Sequence, residues 1–270
     1  MKISIVTISF NQARFLEQAI LSVLNQSYPD MEYIIVDPGS TDGSRGIIDK
    51  YRSRLAAVIF EPDEGPTGGL NKGFRLATGD ICGYLNADDA YLPGAFEKVA
   101  AVFNTRLQAD VVYGHGYIID AEGHVIRRFY SDSFNLRRYL YGGVSVMQQS
   151  TFFKRSAFVD VGGFNPTNKT CWDGELLVDF AIHKKAFRRL DDFLSVFRIH
   201  RSSISGSGRL DSQYQMDLQR IFLKAYGRPK KSHDKLLSQF ARLEKWILNP
   251  KALRSRIADL VFPQTKVPSE

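Results

Sequence analysis

Apolar residues along the first 130 positions follow two periods, and the periods alternate. Ile3, Ile5, Val6 and Ile8 make a first buried strand, and Leu16, Ala19, Ile20, Val23 and Leu24 then repeat at helical spacing. Tyr33–Val36 predicts a second strand, closed by the turn cluster Asp37-Pro-Gly-Ser-Thr-Asp-Gly43. A short helix to Tyr51, a strand at 58–60, a helix near 69–77 and a strand at 81–85 follow, and Pro93 is placed to open a helix running to Phe103. Such alternation predicts an α/β domain with a parallel or mixed sheet covered on both faces. From 110 to 200 the pattern changes. Strand-like runs at 111–113, 117–119, 125–129 and 148–153 mix with short helices, and a last strand at 193–199 ends at His200. From about Asp211 the chain turns helical, with Leu236, Leu237, Phe240, Leu243, Trp246 and Ile247 forming an apolar stripe.

Composition sharpens this picture at three points. The 270 residues are 44% hydrophobic, enough for a sizeable core. The net charge is +7, which suits an anionic partner. Residues 220–256 carry eleven basic and two acidic side chains, so the excess is confined to the tail and argues against nucleic acid as the partner. Two readings of the tail stand side by side: amphipathic helices packed on the domain with solvated basic side chains, or a surface whose Lys230, Lys231, Lys235, Arg242, Lys245, Arg254 and Arg256 draw the protein to anionic lipid. Cys82 and Cys171 stand in unrelated contexts and form neither a disulfide framework nor a zinc spacing. With no signal-peptide pattern and no apolar run of about 18 residues, the expected location is the cytoplasm, at most peripheral at the inner face of a membrane.

In open α/β sheets ligands bind beyond the carboxyl ends of the strands, where strand order reverses. The residues that follow the four strands are Ser9-Phe10-Asn11, Asp37-Pro-Gly-Ser40, Glu61-Pro-Asp63 and Asn86-Ala-Asp-Asp89. Carboxylates gathered at one sheet edge repel unless a cation or hydrogen-bond donors compensate. Asp88 and Asp89 are hard oxygen ligands suited to Mg²⁺ or Mn²⁺, although an acidic pair also suits a helix N-terminus. Asp37 is placed to accept from a base or ribose, but its surroundings also suit plain turn chemistry. Asp173, in Trp172-Asp-Gly-Glu175, is either a helix-capping acid or a general base. His200 is either structural or a ligand for metal or phosphate.

Together the segments Ser4–Gln12, Ser22–Ser27, Ile35–Ser44, Asn71-Lys-Gly73, Ala77–Asp80, Leu85–Asp89, Gln149–Phe153, Val161–Phe164 and Phe197–His200 resemble the family 2 glycosyltransferases of the GT-A fold, over about residues 1–205. The resemblance implies a mixed, mostly parallel central sheet flanked by helices, with a basic helical extension at 206–270 added to it. The catalytic domain, 1–205, would comprise a nucleotide-sugar-binding half (1–105) and an acceptor-binding half (106–205). It implies inverting transfer of a sugar from a nucleotide-sugar donor, usually UDP-linked, to a saccharide or lipid-linked saccharide, assisted by Mg²⁺ or Mn²⁺. Asp173 falls on the catalytic base. Ile8, Ser9, Phe10, Asp37, Asp63, Lys72, Asn86 and Ala87 form the donor-binding set, and Asp88, Asp89 and His200 the metal set. Asn86 departs from the first aspartate of the Asp-x-Asp signature, and Pro38 from a second acid beside Asp37. The competing activities fit less well. A nucleotidyltransferase calls for a Gly-rich basic loop after the first strand and a dehydrogenase for G-x-G-x-x-G, and Ser9-Phe-Asn-Gln12 is neither. A non-catalytic carbohydrate-binding protein would not need both Asp88 and Asp173.

Overall fold

The structure is a computed structural model and describes residues 1–105, 108–200 and 210–261. Four parallel strands, β1 (Ile3–Ile8), β2 (Met31–Val36), β3 (Ala57–Ile59) and β4 (Ile81–Asn86), form one half of a single sheet. Beyond β4 lie β8 (Thr151–Lys154), β6 (Val111–Ile119), β9 (Phe187–Arg198) and β5 (Ala90–Tyr91), giving the order β3-β2-β1-β4-β8-β6-β9-β5, with β7 (Val125–Phe129) paired to β6. β8 is antiparallel to both β4 and β6, so the sheet is mixed.

Both faces are covered, which is why the parallel strands read as nearly unbroken apolar runs. On one face Ile3, Ile5, Tyr33 and Ile35 pack under Leu16, Ile20 and Val23 of α1 (Ala13–Leu24) and Phe96, Val99 and Phe103 of α4 (Ala95–Phe103). On the other, Val6, Ile34 and Val36 pack under α3 (Pro66–Leu76), α6 (Arg155–Asp160) and α7 (Trp172–Ile182). Between them lie α2 (Ser44–Lys50), on the first face, and the short α5 (Leu136–Leu140). Both cysteines are free and buried, and burial pushes the Cys82 thiol up to about 12 and the Cys171 thiol to about 11.

Several elements differ in extent from the periodicity. The runs at 111–113 and 117–119 are one strand. Gly114-His-Gly116 breaks the apolar pattern and shifts the register against β9 without ending the strand; a Cβ at Gly114 would press on Leu194 and the backbone of Asp192, and one at Gly116 on Met147 and the backbone of Ser195. The last strand begins at Phe187, six residues early, because its polar first half pairs with the start of β6. Residues 148–150 form a 3-10 turn before β8. Pro93 precedes α4 by two residues, with Gly94 in the left-handed region (φ 71°).

The C-terminal region comprises α8 (Asp211–Tyr226), α9 (Asp234–Leu248) and α10 (Pro250–Val261). It is fastened to the sheet domain by ions as well as by packing. Glu175, buried on α7, takes both guanidinium nitrogens of Arg220 on α8, at 2.6 and 2.8 Å, and also accepts from Asn165 and Asn168. Burial alone would raise the Glu175 carboxyl; Arg220 and the two amides outweigh it and hold the group at about 2. Lys224 pairs with Asp179 one turn further along α7. None of the described helices is long and apolar enough to cross a membrane.

Because the folded-state value of Glu175 lies below its ordinary 4.5, its contribution to stability is complete above that value and disappears as the pH falls toward about 2. Arg220→Met is expected to cost about 2 kcal/mol at neutral pH, discounted for the partly exposed guanidinium and the remaining amide donors. The variant should also show a shallower loss of stability between about pH 4.5 and 2 in denaturant titrations; equal acid limbs would assign the anchoring elsewhere.

Candidate active site at the strand ends

The register of the parallel strands places one row of residues at the carboxyl edge: Ile59, Val36, Ile8 and Asn86 stand side by side across β3, β2, β1 and β4. Strands lie about 4.8 Å apart, so the loops after Val36 and Asn86 begin about 10 Å from each other with Ser9 between them. Strand order reverses at β1, which makes this edge the crevice where a ligand is expected.

The loops after β1 and β2 are laced together. Asn11, held at a positive φ of 53°, accepts from the Thr41 amide and donates its own amide to Ser40, while Asp42 accepts from the Ala13 amide and so caps α1 from a neighbouring loop. Asp37 is fully buried. Its carboxylate accepts from the amides of Gly39 and Ser40, from the Ser40 hydroxyl at 2.6 Å and from Arg45 Nε at 3.2 Å. Asp37 is thus the keystone of its own turn, a role the turn composition already allowed. Phe10 is 59% exposed at the mouth of the crevice. Asp63 accepts from the Gly65 amide, and its carboxyl is raised by burial. Lys72 donates to the Pro62 carbonyl and sits 3.6 Å from Glu61.

The turn after β4 splits its two acids. The Asp88 carboxylate lies 3.0 Å from His200 Nε2 and keeps partial access to solvent. The His200 ring packs on Phe15. Asp89 points inward and is buried, accepting from the Arg198 amide at 2.9 Å, from Gln149 at 2.8 Å and from Asn86 at 3.3 Å. Burial, then the adjacent Asp88 charge, push its carboxyl well above the usual range. Ala87 is buried, its amide donating to the Ile8 carbonyl and joining the two strand ends.

Arg198, which pattern reading passed over, secures this turn. It is 2% exposed; its guanidinium donates to the Asp88 carbonyl at 2.9 Å, to Asp120 O at 3.1 Å and to Gln18, and it stacks on Phe15. The available signal was an arginine at the end of an apolar last strand, since a buried guanidinium must find several acceptors.

Asp173 lies in the first turn of α7 and is half-buried. Burial raises its carboxyl above the ordinary value, opposed by the backbone amides at the helix start. Its charge is felt by Tyr84 and Tyr139, both pushed up mainly by burial and next by Asp173. Tyr84 precedes Asn86 by two residues on β4, so their side chains share a face, and Tyr84 belongs to the same apolar cluster as Trp172, the neighbour of Asp173 on α7. Tyr139 also lies directly against Gly174, where a Cβ would collide with its hydroxyl.

Three buried side-chain oxygens at this edge have no hydrogen-bond partner among the described residues: Ser9 Oγ, Thr67 Oγ1 at the start of α3, and Asn86 Oδ1. Buried polar atoms without partners are uncommon and are expected where a ligand completes them. No group of three or more His, Cys, Asp or Glu side chains converges as a complete metal cage among the described residues. Asp88 with His200 is an oxygen–nitrogen pair, which suits a cation that takes one or two protein ligands and fills the rest of its shell with water and phosphate oxygens.

A mixed α/β sheet with acids, orphaned oxygens and an aromatic ring at the reversal of its strand order defines a polar ligand crevice of the kind open α/β sheets carry. Residues 4–162 match the family described as glycosyl transferase family 2, more than half of the chain, and the chain belongs to that family. It is 30% identical over 214 residues to an uncharacterized glycosyltransferase of Nostoc sp. (74% of this chain, 65% of the relative), and 29% identical over 166 residues to a PGL/p-HBAD biosynthesis glycosyltransferase of Mycobacterium tuberculosis (60% and 62%). The matched part thus spans less than two thirds of either relative's length. Among solved structures it is similar to S. aureus TarS 1-349 in complex with UDP-GlcNAc (TM-score 0.68, 16% identity, 98% of this chain and 76% of that one). It is also similar to the mannosyltransferase PcManGT from Pyrobaculum calidifontis in complex with GDP-Man and Mn²⁺ (0.64, 18%, 97% and 76%). These likenesses place the fold among GT-A glycosyltransferases, as the sequence resemblance implied.

Arg198→Met would leave the Asp88 and Asp120 carbonyls without their donor and is expected to cost about 2–4 kcal/mol, read as a melting temperature lowered by roughly 5–12 °C. Arg198→Lys should restore little of it, since one ammonium cannot reach acceptors on three segments. An unchanged melting temperature in both variants would remove Arg198 from this role.

Proposed function

We propose that the chain transfers a sugar from a nucleotide-sugar donor, UDP-linked, to a hydroxyl of a saccharide or lipid-linked saccharide, by single displacement with inversion. The observation that carries this reading is the paired Asp88 and His200 beside the orphaned Asn86 oxygen, at the end of the strand whose Tyr84 shares an apolar cluster with Trp172, the neighbour of Asp173. The donor is assigned to the parallel half, 1–105. There Phe10 stacks the base, Ile8 and Ser9 line its pocket, and Asp37 shapes the floor through the Ser40 turn. Asn86 and Thr67 offer oxygens to ribose or phosphate. Lys72 and Asp63 flank the entrance. Asp89 acts as a brace for the turn rather than as a ligand, because its oxygens are already taken up inside the fold.

Mg²⁺ or Mn²⁺ held by Asp88 and His200 would supply positive charge to the diphosphate as it departs. The residues of the chain do the rest. Asp173 receives the acceptor hydroxyl at a carboxylate oxygen and takes its proton as the hydroxyl oxygen, not the carboxylate, bonds to the anomeric carbon. The bond from that carbon to the diphosphate breaks, and its electron pair leaves with the phosphate. The raised carboxyl of Asp173 suits this work, since a stronger base accepts the proton more readily. Asn86 in place of an acid removes one negative charge from the diphosphate side and still offers an acceptor for ribose.

Asp173→Asn is expected to lower transfer by at least about a thousandfold while leaving donor binding within about threefold, and the wild-type rate should fall on the acid side with an apparent pKa above the ordinary aspartate value; wild-type turnover in the variant would end the base assignment. In a thermal-shift panel of nucleotide sugars, a UDP-sugar with Mn²⁺ should raise the melting temperature more than either component alone, and Asp88→Ala should abolish the difference. Stabilisation by no nucleotide sugar, or by all equally without metal, would count against the donor assignment.

A further inference from the structure

Helix α9 carries its apolar stripe away from the protein, where the packed-helix reading expected it to face inward. Leu236, Phe240, Leu243 and Ile247 are 58, 63, 59 and 69% exposed. At about 100° per residue these four fall within an arc of about 60°, and Asp234, Ala241 and Lys245 lie nearly opposite. That opposite face is the docked one. Ala241 packs on Tyr141, Phe222 and the Gly143 backbone, Asp234 takes Arg228 and Tyr141, and Lys245 reaches Ser145 and Asp132. The helix is therefore fixed in orientation by its polar side, with large apolar side chains left in water.

The surroundings of the stripe are cationic. Lys231 and Lys235 are exposed and have no acid partner among the described residues; Arg242 and the half-buried Trp246 flank the stripe on the same side. On its other side a groove of about 320 Å³ runs between α5 and α9, lined by Asn135, Arg137, Arg138, Glu244, Ile247 and Leu248. Lys245, by contrast, is spent on Asp132 and does not belong to this surface.

We propose that this face of α9, with Arg138 of α5, docks the protein on an anionic phospholipid bilayer. An apolar stripe edged by lysine, arginine and tryptophan is the composition of a helix that lies in the interfacial plane, its apolar side chains among the acyl chains and its cations at the headgroups. Charge decides against a second copy of the chain as the occupant, because a two-fold contact would bring these cationic flanks together. Helix α9 is one helix away from the candidate base: Arg137 of α5 reaches Glu244 on α9 at 3.7 Å, and Tyr139 of α5 lies against Gly174, next to Asp173. The docking stands independently of the transfer reading.

The test is co-sedimentation of the full chain with vesicles. Wild-type protein should pellet with mixed phosphatidylglycerol–phosphatidylcholine vesicles at low salt, be released by high salt, and stay in solution with phosphatidylcholine alone. Phe240→Glu/Ile247→Glu alters only exposed positions, so its melting temperature should match the wild type while vesicle partitioning falls about tenfold or more. Lys231→Glu/Lys235→Glu should weaken partitioning several-fold and flatten its salt dependence. Wild-type protein remaining in solution with anionic vesicles, or wild-type partitioning by a correctly folded Phe240/Ile247 variant, would overturn the proposal. So would a wild-type dimer in light scattering that the same variant splits without changing vesicle binding.

Discussion

A buried arginine and a buried aspartate at the far edge of the sheet hold the candidate site in place. Arg198 is surrounded by carbonyls from three segments, and its own amide is taken by Asp89. Neither group could be left in the interior without these partners, because a buried polar group that loses its hydrogen bonds costs as much as several good contacts provide. The constraint runs outward from there. Asp89 turned inward forces the preceding residue outward, and Asp88 meets His200 because both follow elements that Arg198 ties together. One acid of the pair is spent on architecture so that the other can face the crevice beside His200.

The fold was largely legible because its signals are local. Buried parallel strands write themselves as apolar runs, and their ends as clusters of Gly, Asp, Asn and Pro. The elements that were misjudged are those in which tertiary contacts overrule local pattern. Gly114 and Gly116 read as a break but are required by the close approach of Leu194, Met147 and the β9 backbone. The first half of β9 is too polar to announce itself and is drawn into the sheet by its pairing with β6.

The candidate site was legible only as a set of strand ends. Sequence could place Asp37, Asn86 and Asp88 after neighbouring strands, and the register sets Val36 and Asn86, from which their loops begin, on either side of Ile8. It could not say which carboxylates are already satisfied within the protein. Asp37 and Asp89 are, by donors from Ser40 and Arg45 and from Arg198 and Gln149, whereas the orphaned oxygens of Ser9, Thr67 and Asn86 are not. That difference depends on partners up to 109 residues away in the chain and has no periodic signature. The same holds for the tail, where helical spacing revealed a stripe but not the direction in which it points.

The ion pairs between α7 and α8 bear on how the chain can be divided. Glu175 and Asp179 project from the helix that carries Asp173, and both meet cations supplied from beyond residue 210. A fragment cut near residue 205 would keep every strand of the sheet and every acid of the crevice, yet it would leave two inward-facing carboxylates with no counter-charge beside the candidate base. The smallest piece of this protein able to hold its working geometry therefore extends past the last strand to at least the end of α8.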